Sequence, residues 1–191
     1  MKQIALIIIL IYISRSIFAN DTITYNNKID FSFSNIHFED EFMQLNDILV
    51  LQLDYNHYLY DFISVGGYFG MGMYDEWIVD RNENSTTYTF TEYKYSAHYG
   101  VNGNLHILPL VFKTNIPRFD FYISGDFGFI SMFTTSDDNI LPENGHYFDY
   151  SLMGGGAIYL SKKLGLFIEA GYREFKYHKG FNAKYGLAYR F

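Results

Sequence analysis

Apolar and polar residues alternate with a period of two along most of this chain, and runs of helical period are hard to find after residue 20. The stretch FDFYISGDFGFISMF puts Phe119, Phe121, Ile123, Phe127, Phe129 and Phe133 on one face. Asp120, Tyr122, Ser124, Asp126 and Gly128 fall on the other. The same reading predicts strands over 29–38, 48–56, 63–74, 93–111, 148–160 and 164–172, and a last one over 181–191. With 119–133 these make eight. An even number of antiparallel strands returns both ends to one side, so such a sheet can close on itself.

The connections differ in length. Long polar segments are predicted at 39–46, 75–87 and 134–146, and short turns near 57–60, 113–118 and 161–164. The last hairpin is placed at His178-Lys179-Gly180. Facing His178 with Phe181 there sets Glu169 opposite Arg190. The alternative, Tyr177 facing Gly180, sets Arg173 opposite Lys184 and is repulsive. The first register is the expectation.

Composition sharpens this picture. Tyr and Phe number 19 each in 191 residues, yet mean hydropathy is only −0.07, as alternation rather than long apolar runs would produce. The net charge of −7 argues against a nucleic-acid partner, because few cations are available to neutralise phosphates. The absence of cysteine excludes disulfides and cysteine metal sites. The first residues, MKQIALIIILIYISRSIFAN, join Lys2 to an apolar run over Ile4–Ile13 and end on small residues. They read as a secretory signal over 1–19, cleaved after Ala19, with residues 20–191 as one barrel domain. The run is too short for a membrane helix, which needs about 20 residues.

Alternation alone does not say which face is inside. A soluble barrel hides the apolar face, whereas a membrane barrel shows it to lipid. Three features favour lipid. The polar face is rich in small residues (Gly66, Gly70, Gly72, Gly100, Gly128, Gly155, Gly171 and Gly186), which suit a narrow interior. Several runs exceed the roughly 9–11 residues needed to cross hydrocarbon as a strand. Tyr and Phe gather toward the ends of the apolar faces, as in interfacial girdles.

The signal segment, the eight alternating strands and the terminal YGLAYRF together resemble the outer-membrane protein β-barrel family, the small OmpA/OmpX-like barrels of Gram-negative bacteria. The resemblance covers about 28–191. It implies an all-β, eight-stranded antiparallel up-and-down transmembrane barrel in the bacterial outer membrane, in contact with lipid and lipopolysaccharide, and monomeric. It also implies that Tyr185, Leu187, Tyr189 and Phe191 form the C-terminal signal read by the barrel-assembly machinery. No cofactor and no enzymatic activity are implied.

The inferred interior holds Asp54, Glu92, Asp120, Asp126, Asp149 and Glu169 with Lys94, Arg173, Lys184 and Arg190, and buried charges must be paired. So narrow a barrel is nearly filled by side chains, which argues against a wide pore. His98 and His106 both point inward but lie about 26 Å apart along one strand. They are expected to be hydrogen-bonded lumen residues and not metal ligands. Catalytic candidates are few. His178 has no neighbouring serine of the kind a lipid deacylase needs, and Ser136, Asp137, Asp138 and His146 in one outer segment form the best remaining set. An ordinary polar loop is the favoured reading of that set. The outer segments are acidic (Glu39, Asp40, Glu41, Asp75, Glu76, Asp80, Glu83, Asp137, Asp138, Glu143), and the opposite turns carry Lys113, Arg118, Lys162 and Lys163. The carboxylates either solvate exposed loops, bridge to glycolipid through divalent cations, or recognise a ligand. The functional expectation is a non-enzymatic barrel that displays these segments and supports envelope integrity or surface interaction. A small channel or transporter for small or apolar solutes is the alternative, and a lipid-modifying enzyme the third reading. An inserted barrel also predicts that Leu187→Arg costs about 2–4 kcal/mol and that Lys184→Gln costs less.

Overall fold

The computed structural model describes residues 25–38, 48–82, 85–112, 118–133, 145–175 and 178–191, without side chains for 38, 74–94, 112 and 178. Eight strands form a closed antiparallel barrel in simple sequence order. They are β1 (Asn27–Phe38), β2 (Ile48–Tyr60), β3 (Ile63–Asn82), β4 (Ser85–His106), β5 (Phe119–Phe133), β6 (Gly145–Tyr159), β7 (Leu164–Phe175) and β8 (His178–Arg190). β8 pairs with β1 from Lys28↔Arg190 to Phe38↔Gly180, and Asn27 and Phe191 exchange backbone hydrogen bonds of 3.1 and 3.0 Å at the seam. No edge remains in the barrel wall, which is the only way a sheet can sit in hydrocarbon with its backbone satisfied.

The polarity is inverted relative to a soluble protein. Leu152, Ile168, Phe121 and Phe127 point outward and are 55–64% exposed, while Ser32, Asp149 and Arg173 point inward and are 0% exposed. Among the described residues the outward face is mostly apolar, and the inward face holds most of the buried polar residues. Glycines set how tightly the wall can fill. A Cβ on Gly128 would lie 2.1 Å from the Tyr99 carbonyl oxygen and 2.6 Å from the Tyr68 hydroxyl. One on Gly155 would meet Glu169 and Tyr122 at 2.7–2.8 Å. These absent side chains are the space that Tyr68 and Tyr122 occupy.

Four expectations are corrected. Residues 75–87 are not a long loop: β3 and β4 continue as a ladder to Asn82↔Ser85. The barrel pairings of these strands end at Leu49↔Met73 and Tyr95↔Phe133. The remaining hairpin therefore projects about 30 Å past the wall at roughly 3.3 Å per residue. Its sequence, with Trp77, Val79, Tyr88 and Phe90 among threonines, has strong strand preference. A bulge between Asp75 and Glu76 marks where it leaves the barrel.

The strand predicted over 93–111 stops at His106, and Ile107–Phe112 forms a short helix, α1. Pro109 lacks the N–H a ladder needs but is tolerated in the first turn of a helix. Strand β2 runs on to Tyr60 past an irregularity between Tyr58 and Tyr60, so the turn falls at Asp61-Phe62 rather than over 57–60.

The last hairpin has neither register weighed from sequence. Phe175 faces His178 and Glu169 faces Lys184, so Glu169 is not opposite Arg190. The observed slide places a cation directly across from Glu169 and leaves Arg173 and Arg190 to find carboxylates on other strands. Turns around Lys179-Gly180, the ones weighed from sequence, exclude this register, in which Glu169 faces Lys184.

Candidate functional site

Among the described residues the lumen is where this fold gathers most of its buried charges. Because side chains alternate, each strand delivers every second residue to it. The charges stack in three tiers along the axis.

In the middle tier Lys184 of β8 lies 3.6 Å from Asp54, 3.5 Å from Asp126 and 3.5 Å from Glu169. Each carboxylate has further donors. Gln52 and Asn102 amides donate to Asp54 at 2.8 and 3.2 Å, Ser151 donates to Asp126 at 3.1 Å, and Tyr122 donates to Glu169 at 2.8 Å. Toward the long-segment end, Arg173 grips Asp149 with two bonds, Nε to Oδ1 at 2.8 Å and Nη2 to Oδ2 at 2.6 Å. Its Nη2 also donates to His98 Nδ1 at 3.0 Å. A guanidinium only donates, so Nδ1 is the acceptor and Nε2 carries the imidazole proton toward Ser96 at 2.8 Å. Toward the short-turn end, Asp120 receives His106 Nδ1 at 3.0 Å and Arg190 Nη2 at 3.1 Å. The Arg190 guanidinium is 3.3 Å from the Tyr159 ring centroid. Lys28 pairs with Asp30 at 2.7 Å beside it.

Both ends of this column are apolar. Ile36, Ile48, Val50, Ile130 and Phe175 form an inward cluster above Arg173, with Met132 and Tyr147 against it. Tyr122, Ala157, Tyr159, Phe167 and Ala188 form another at the short-turn end. The charges between them have almost no accessible surface: Arg173 is 0% and Lys184 3% exposed. Taking these ions out of water is offset only by their mutual pairing and hydrogen bonds. Among the described residues this is a paired, hydrogen-bonded interior with little accessible surface.

The inward positions of Asp54, Asp120, Asp126, Asp149, Glu169, Arg173, Lys184 and Arg190 match the sequence reading. So do His98 and His106, which are hydrogen-bonded wall residues; among the described residues no group of three or more His, Cys, Asp or Glu side chains is arranged to hold a metal ion. The side chains of Glu92 and Lys94 lie outside the described residues. Sequence reading missed the Lys28–Asp30 pair and the apolar cap. Both were visible as continuations of parity: Lys28 and Asp30 precede Ser32, and Ile48 and Val50 precede Gln52 on the same face.

On the outer face the structure places His146 beside Ser131, its ladder partner, with Ser131 Oγ 2.7 Å from His146 Nδ1 and 3.2 Å from the Tyr99 hydroxyl. Ser131 is 3% exposed and lies between those two neighbours. The other members of the predicted set, Ser136, Asp137 and Asp138, lie outside the described residues, as do Glu39, Asp40, Glu41, Glu83, Lys113, Glu143 and the segment 1–19. His178 pairs with Phe175 through its backbone, and its side chain is not described. Nearby on the outer face, Glu174 accepts hydrogen bonds from Tyr150 and Tyr172 at 2.6 and 2.7 Å and lies 3.8 Å from Lys179. Tyr185, Leu187, Tyr189 and Phe191 all point outward and are 44–53% exposed.

No family model matches the chain, and no curated protein matches it. Solved structures do. The outer membrane protein OprG from Pseudomonas aeruginosa matches with TM-score 0.59 at 8% identity, over 88% of this chain and 97% of that one. The outer membrane protein AlkL matches with TM-score 0.56 at 12% identity, over 90% and 94%. The N-terminal β-barrel domain of Pseudomonas aeruginosa OprF matches with TM-score 0.54 at 9% identity, over 88% and 100%. At such identities the likeness is one of fold. The chain thus shares with these outer-membrane proteins the fold of a closed eight-stranded antiparallel β-barrel, with its apolar face turned outward.

Proposed function

We propose that this barrel is a closed, non-enzymatic outer-membrane scaffold whose role is carried by what it displays at the long-segment end. The observation that supports this is the lumen: among the described residues its charges are paired, have little accessible surface and pack with apolar clusters toward either end, which argues against a wide route for solute. That weighs against the channel reading. The buried Ser131 hydroxyl weighs against the lipid-modifying one. By the usual asymmetry of such barrels the long-segment end faces outward and the short turns face the periplasm. The displayed material is then the β3–β4 hairpin and the acidic segments around it, which serve envelope integrity or surface interaction. Divalent cations bridging these carboxylates to lipopolysaccharide are one way they act. Export by a cleaved 1–19 signal, assembly through the Tyr185, Leu187, Tyr189 and Phe191 stripe, and a monomeric state complete the reading.

The test replaces residues 76–91 with a two-residue turn. The barrel wall does not depend on this segment, so the variant should still show heat-modifiable gel migration. Cells carrying it should leak a large dye, or lose a surface-binding phenotype, as cells without the protein do. A phenotype unchanged by the shortened hairpin contradicts the display reading. Lipid A of altered mass that depends on His146 would replace it with the enzymatic one.

A further inference from the structure

We propose that the lumen binds one alkali-metal cation, sodium or potassium, between Asp30 of β1 and Asp54 of β2. The inference rests on the paired, buried lumen of the scaffold reading and not on what the barrel displays. Among the described residues Arg173 answers Asp149 and Arg190 answers Asp120. Asp30, Asp54, Asp126 and Glu169 are then left with Lys28 and Lys184 to balance them. Four carboxylates against two ammoniums leave an excess of two negative charges, in a stretch where each of these side chains is nearly without accessible surface. Buried charge of one sign is costly away from water and draws a counter-ion.

Unsatisfied oxygens mark where that ion sits. Asp30 and Asp54 face each other in the β1–β2 ladder, where opposed Cβ atoms are about 4.5–5.5 Å apart. Each carboxylate has its partners on one oxygen. Asp54 Oδ1 accepts from the Gln52 and Asn102 amides at 2.8 and 3.2 Å and lies 3.6 Å from Lys184, whereas Oδ2 has no hydrogen-bond partner. Asp30 Oδ2 accepts from Lys28 at 2.7 Å and from Asn56 at 3.4 Å, whereas Oδ1 has none. The side-chain oxygens of Gln52 and Asn102 are buried and likewise without a partner. Their nitrogens are held by Asp54, so by the lengths of the amide bonds each oxygen lies within about 6 Å of Asp54 Oδ1. Gly66 leaves room for this on β3: a Cβ there would lie 2.9 Å from Asn102 Oδ1. A proton shared by the two carboxyls would answer two of the four oxygens, and a water molecule would bring no charge. A cation answers the oxygens and the charge together. The donors are all hard oxygens, as alkali ions take. Among the described residues no three His, Cys, Asp or Glu side chains gather for a metal ion, which argues against a divalent or transition metal.

The test follows the folded fraction of the full-length barrel in lipid vesicles across urea, at one pH and one ionic strength, in sodium, potassium or N-methylglucamine chloride. The wild type should show a folded-to-unfolded ratio at least about tenfold higher in an alkali salt than in the bulky one, as a ligand held only by the folded form gives at about ten times its Kd. Asp30→Asn and Asp54→Asn should each lose that difference. Glu174→Gln, on the outer face, should keep it. Crystals of the wild type grown with rubidium or thallium(I) should show an anomalous peak in contact with Asp30 Oδ1 and Asp54 Oδ2, a readout that needs no lumen variant to fold. Equal wild-type stability in all three salts overturns the proposal, and stability that follows pH alone assigns the pair a shared proton instead. An alkali effect that persists in both Asn variants is surface screening and overturns it too. Dye leakage and surface binding play no part in these readouts, so failure of the display reading and failure of the cation site are separate results.

Discussion

Lys184 shows how a membrane barrel keeps a charge inside itself. Its ammonium is the shared partner of Asp54, Asp126 and Glu169 and is nearly without solvent contact. Read from the sequence alone, Lys184→Gln should cost less than Leu187→Arg. The structure reverses that expectation. Removing the one cation common to three buried carboxylates should cost about 3–5 kcal/mol, at least as much as the roughly 2–4 kcal/mol for Leu187→Arg on the lipid face. Urea titration of the folded fraction in lipid vesicles, read by gel migration, ranks the two. The Arg173–Asp149 pair gives a second check. Arg173→Met alone strands a buried carboxylate, whereas Arg173→Met with Asp149→Leu removes both charges, so the double variant should be the more stable of the two. These residues were legible as inward because parity assigns a face to every position. Their partners were not, because partners across strands depend on registers that parity leaves free in steps of two.

At the scale of elements, the strands themselves were the easiest features to read and their ends the hardest. The 119–133 strand was read with its observed bounds, since fifteen residues of alternation end in polar segments on either side. The β3–β4 hairpin was read as a loop because DEWIVDRNENSTT looks polar, although its paired threonines and aromatics favour strand. Helix α1 was hidden because ILPLVF follows an alternating run, and only Pro109 argued for a break. The β7–β8 register can be tested directly, and the absence of native cysteine makes the experiment clean. Ala170 faces Ala183 in the observed ladder. Cysteines at those two positions should form a disulfide on mild oxidation, whereas the sequence-derived register would instead link Ala170→Cys to Tyr189→Cys. Gly128 offers a test of wall packing. Gly128→Val would drive side-chain atoms into the Tyr99 backbone and the space of Tyr68, so the folded fraction should fall sharply.

For the whole molecule, closure and polarity are coupled. The seam between β1 and β8 removes the sheet edge, and the outward apolar face then meets lipid while the charges turn inward. The eight-stranded count and the choice of lipid over water for the apolar face were both legible in the sequence, from alternation and from small residues on the polar face. The inward parity of Ile36, Ile48, Val50, Ile130 and Phe175 was legible too, but not their convergence, because they come from four strands and meet only once the registers are set. This cluster bears on the choice between a pore and a scaffold. The most direct test is single-channel recording of the wild-type barrel in a planar bilayer in molar salt, with orientation and insertion verified independently. A sealed lumen predicts a silent bilayer, with steady current appearing at most when the cap is cut back by Ile130→Ala/Phe175→Ala. A stable unitary conductance from the wild-type protein would contradict the account.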